Sequence, residues 1–215
     1  MQMIDARIPL WFYGITSVIY LLSSVICFLA VLFSYKAYKI DPKKKVIFLM
    51  FGFLLLGLGF VMLALPSLYI YFGFNYQGGL SINYVNYIGF SAYYFLSTAA
   101  YFLFLLMYIP KGFKSKNFVI FVPLWYASSV KFHSVSVGII SLVLIQTIIN
   151  SLKKKNLDSY LVMFAFLSLA MFHLLLLLAS FSVINFVLAN SILILGFLSL
   201  LLMLIRVNYG GKEKV

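Results

Sequence analysis

Between Asp158 and Arg206 the chain carries no charged side chain. Similar uncharged runs recur from the first tyrosine onward. A helix crosses about 30 Å of hydrocarbon with ~20 apolar residues, so runs like these fold as membrane spans. Composition agrees: 65% of the residues are hydrophobic and 9% are charged, with a mean hydropathy of +1.10. The runs are continuous rather than alternating, which selects helices over a barrel. The expected fold is an all-α, polytopic seven-helix bundle forming a single domain over residues 1–215. The expected location is the cell membrane, as a multi-pass protein.

The seven expected segments are Leu10–Tyr35, Val46–Phe72, Ile82–Ile109, Phe118–Val130, Phe132–Leu152, Tyr160–Ala179 and Val183–Val207. The stretch from 118 to 152 reads as one long helix or as two short ones, and charge decides. Lys111, Lys114 and Lys116 precede it, and Lys153, Lys154 and Lys155 follow it. Two crossings keep both clusters on one face, together with the 36–45 loop, Arg206, Lys212 and Lys214. Only Arg7 and Lys131 then lie opposite, which is a strong positive-inside bias. The N-terminus is expected outside and the C-terminus inside. Lys131 is expected at a tight outer turn between the fourth and fifth spans. The first span lacks a small-residue cleavage site and reads as a retained helix.

Polar residues in two spans fall on one face. In the first they are Tyr13, Ser17, Tyr20, Ser24, Cys27 and Ser34. In the third they are Asn83, Tyr87, Ser91, Tyr94, Thr98, Tyr101 and Tyr108. Steps of three and four keep a helix face, and hydroxyls avoid lipid. These stripes either bond helix to helix or line a shared polar cavity. Gly52, Gly57 and Gly59 offer a packing face on the second span, and Pro66 should bend its outer end. Aromatic and hydrogen-bonding groups gather in the outer half. The candidate ligand region there comprises Tyr87, Ser91, Tyr126, His133 and His173, with Lys131 at its rim. His173 lies in "MFHLLLLLAS", far from any charge, and an intramembrane ionisable group is a functional candidate.

Several chemistries lack their parts. The acidic residues are Asp5, Asp41, Asp158 and Glu213, all in expected loops or tails. There is no H-E-x-x-H, no G-x-S-x-G and no cysteine pair. Two histidines without cysteine or carboxylate neighbours make a poor metal set. No catalytic residue, metal or other cofactor is expected, and the chain does not read as an enzyme. The charge of +12 sits in short loops between spans, so nucleic acid is not the expected partner; membrane lipids are.

The stretch "SYKAYKIDPKKKVIFLMFGFLLLGLGF", residues 34–60, resembles the first basic loop and second helix of prokaryotic seven-helix sensor domains, including those fused to histidine kinases. The resemblance implies sensing of something in or outside the membrane. No output domain is seen after Arg206, only "VNYGGKEKV", so the signal is expected to pass to a separate partner protein. Retinal proteins share the topology but need a lysine in the last helix, and "VINFVLANSILILGFLSLLLMLIRV" has none. Sugar transporters of three-plus-one-plus-three helices share the span count, but no internal repeat or matching proline is visible. The leading expectation is a sensor or accessory subunit. The alternatives are a small-solute transporter or channel using the two stripes, continued inward through Ser34 and Tyr108, and a structural subunit of a membrane complex.

Overall fold

The computed structural model describes residues 9–40, 42–73, 82–108, 129–179 and 183–209. These form six helices: α1 (Leu10–Ile40), α2 (Lys44–Tyr71), α3 (Ile82–Tyr108), α4 (Ser129–Lys154), α5 (Leu157–Leu178) and α6 (Val183–Tyr209). All six are long and apolar enough to cross a membrane, and the chain is a multi-pass helical membrane protein. The expected span at Phe118–Val130 lies outside the described residues except for its last two. Those two, Ser129 and Val130, already belong to α4, as does Lys131. The turn expected at Lys131 is therefore helix. Its lysine is exposed in the first turn of α4, where a cation reaches water without leaving the helix.

Packing divides the helices into two units of three. In the first, α2 lies between α1 and α3. Gly57 meets Cys27 and Phe28 of α1, while Gly52 meets Phe104 and Gly59 meets Tyr93 and Ser97 of α3. The glycines expected to form one packing face thus serve two neighbours. α2 runs unbroken through Pro66. A proline leaves the carbonyl four residues before it without a helical donor. That carbonyl, on Met62, faces Gly89 of α3, where an added Cβ would stand 2.8 Å away.

In the second unit α5 lies between α4 and α6. The α4–α5 turn is short: Lys155 takes φ 48°, and Asn156 caps α5 by accepting from Ser159 N at 2.9 Å. Ser151 Oγ donates to Thr147 O and Ser159 O, each at 2.8 Å. On the other side Gly196 of α6 packs on Ser168, and Ser199 Oγ donates to Leu161 O at 3.1 Å.

The units meet along two seams, and at each seam the helices run in the same direction. Tyr94 of α3 stacks on Phe132 of α4 with centroids 4.1 Å apart. Far along both helices, Tyr108 and Thr147 line one cavity. Likewise Phe12 of α1 packs on Phe186 of α6 at 5.6 Å, and Ser34 and Leu204 meet at the other end. Each unit therefore runs down, up and down. Tyr108 and Ser129 stand towards opposite ends of the bundle, and so do Leu10 and Arg206. Among the described residues, every lysine and arginine except Lys131 lies at the end of Lys36, Lys154 and Arg206, here the basic end.

Candidate functional site

The α1 stripe turns inward. Ser17, Tyr20, Ser24, Cys27 and Ser34 are buried, and Tyr13 is half-buried. On α3 the stripe is inward only over its lower part. Tyr94, Thr98 and Tyr101 are buried, whereas Tyr87 is 71% exposed and Ser91 is exposed. The face is the same, but α4 is described only from Ser129, about one turn above Phe132, the partner of Tyr94. Higher on α3 no described helix covers it. Tyr87 and Ser91 are exposed, and no described contact joins them to the histidines. Tyr126 lies outside the described residues, as does the side chain of Asn83, and Lys131 points outward.

The two histidines do come together. His133 Nδ1 and His173 Nδ1 are 2.8 Å apart, and His173 Nε2 is 2.7 Å from Tyr101 Oη. His173 and Tyr101 are fully buried, and His133 is nearly so. This file joins α3 of the first unit to α5 and α4 of the second. Phe132, Phe172, Tyr93 and Tyr94 fill the space around it. Among the described residues, the half away from the basic end is filled by aromatic rings at this point.

At mid-depth Tyr93 and Ser97 are hydrogen-bonding partners of Tyr101 and Asn190 of Tyr20, while Ser23 and Ser24 Oγ on α1 and Ser136 Oγ on α4 are buried without a hydrogen bond. Each such group costs about 1–3 kcal/mol, and a cluster of them calls for an explanation.

Beneath this layer, at the basic end, a cavity of about 300 Å³ is lined by all six helices. Its polar lining includes Ser34, Tyr108, Thr147, Asn150, Lys154 and Asp158. Asp158 also pairs with Arg206 at 3.1 Å. Water occupies about 30 Å³ per molecule, so the space holds on the order of ten waters or one small polar solute. Phe53, Phe166 and Leu200 contribute apolar wall. Of these residues the sequence pointed to Ser34 and Tyr108. Thr147 and Asn150, polar residues one turn apart near the basic end of α4, were the signal for part of the rest.

No known protein family, curated protein or solved structure matches this chain.

Proposed function

We propose that the chain is a small-solute transporter built from two three-helix units, with its basic end open and its outer half sealed. The observation that carries this reading is the cavity on the seam between the units, its wall mostly apolar with a polar set that includes Ser34, Asn150 and Asp158, lying beneath the aromatic rings around the histidines. Binding sites between helical repeats, alternately reached from either face, are the common plan of such transporters. The buried unpaired hydroxyls above the cavity fit the same plan. They lack partners while the outer half is shut and meet water or solute when it opens.

In this reading the chain crosses the membrane seven times, returning once between Tyr108 and Ser129. The parallel course of α3 and α4 supports the return. The concentration of cations around Lys36, Lys154 and Arg206 supports an inside location for that end. Among the described residues aromatic rings pack around His133 and His173 and the cavity lies at the basic end, which favours transport over the sensor reading.

A panel of small amino acids, sugars and organic ions, scored for thermal stabilisation and then for currents across solid-supported membranes, tests the proposal. One solute class should stabilise and move, with both effects lost in Asn150→Leu. A solute that stabilises the native protein and Asn150→Leu equally would place binding elsewhere and overturn it.

A further inference from the structure

His133 and His173 are the two histidines of the chain, and they face one another through Nδ1 at 2.8 Å. That contact holds one proton: one nitrogen donates and the other accepts. Across His173 Nε2 the same file reaches Tyr101 on the opposite unit. The neutral file therefore ties the two units together in the outer half.

A charged file is a different object. Among the described residues the one carboxylate is Asp158, at the basic end. The titratable groups near the file are Tyr93, Tyr94 and Tyr101 from α3, with Tyr20 and Cys27 from α1 joined through Tyr101 and Tyr93. All are neutral acids. From α6 comes Asn190, which does not titrate, and α4 adds Lys131 in its first turn. Among the described residues an imidazolium here has no counter-ion, and a buried unpaired charge is expelled or hydrated.

We propose that the Tyr101–His173–His133 file is a proton-operated latch, and that the coupling ion of this transporter is H⁺ taken up by the histidine pair from the outer side. This inference rests on the two-unit transport reading. The proton adds to an imidazole lone pair. With both Nδ1 atoms protonated, two N–H groups oppose each other and the 2.8 Å contact is lost. With one extra proton, a cation stands in an aromatic shell. Water entry relieves either state and parts α3 from α4 and α5. The unpaired hydroxyl of Ser136 then gains a partner. Because the open form binds the proton more tightly, acid shifts the population towards it.

Spin labels at Phe95 and Leu174, both on exposed faces of α3 and α5, measure the separation by pulsed electron resonance in nanodiscs. From about pH 8 to about pH 5, where histidine changes charge, a second and longer distance should grow in. In Tyr101→Phe it should be present already at the higher pH. Nitrogen-15 spectra of histidine-labelled native protein, with no histidine tag, should show the pair charging in step with the longer distance. One unchanged distance across this range would overturn the latch. So would a lengthening while both imidazoles stay neutral. Solute currents with fixed distances would leave transport standing without the latch. Acid-dependent separation in a protein that moves no solute would leave the latch standing without transport.

Discussion

Gly89→Ala tests the seam that holds α3 in place. A Cβ at this position falls on the Pro66 ring and 2.8 Å from the Met62 carbonyl, where ordinary contact begins at 3.4 Å. The helices must separate by about 0.6 Å at the carbonyl alone, and neither a proline ring nor a backbone oxygen can swing aside. Overpacking of this kind costs about 1–3 kcal/mol, and rigid neighbours place it at the upper end. Alanine returns about 1 kcal/mol of helix propensity. The net is a loss of about 2 kcal/mol, roughly a thirtyfold fall in the folded-to-unfolded ratio. Gly138→Ala is the control, because nothing lies within 4 Å of its added Cβ; it should gain up to about 1 kcal/mol. Unfolding in mixed micelles with increasing dodecyl sulfate, followed by circular dichroism, should separate the two variants by about 3 kcal/mol. A Gly89→Ala protein as stable as the native chain would refute the close approach of α2 and α3.

Three further outcomes are expected. Reporter fusions ending at Tyr108 and at Lys154 should report the same face, and one ending at Lys131 the opposite face; agreement of all three would contradict the parallel course of α3 and α4. Ser151→Ala, which removes the donor to Thr147 O and Ser159 O, should lower stability by about 1 kcal/mol in the same micelle assay. Asp158→Asn should change it by less than about 1 kcal/mol, because the pair with Arg206 is exposed; a larger loss would mean that the pair is shielded by something beyond the described helices.

The α1 stripe was legible because spacing alone assigns a face, and a hydroxyl-bearing face turns from lipid. The same reasoning on α3 identified the face but not its cover. Tyr87 and Ser91 share the azimuth of Tyr94, yet both are exposed, because spacing within one helix does not say what packs opposite each turn. Charge placed Lys131 at the end opposite the basic clusters, where the structure has it. It could not distinguish a turn from a first helical turn, since both let a lysine reach water. The approach of His133 to His173 follows from their similar depth on consecutive antiparallel helices. The cavity was the least legible feature. Its lining comes from all six helices, and no local spacing reports a void between units.

The central claim is a cavity open at the basic end beneath a sealed outer half. Ser34→Cys places a thiol in that cavity, Ser136→Cys places one in the sealed layer, and native Cys27 is fully buried. A membrane-impermeant maleimide applied to either side of oriented vesicles should label Ser34→Cys from the face of Lys36 and Arg206 only, and Ser136→Cys from neither. Labelling of Ser34→Cys from the opposite face, or from no face, would contradict the account.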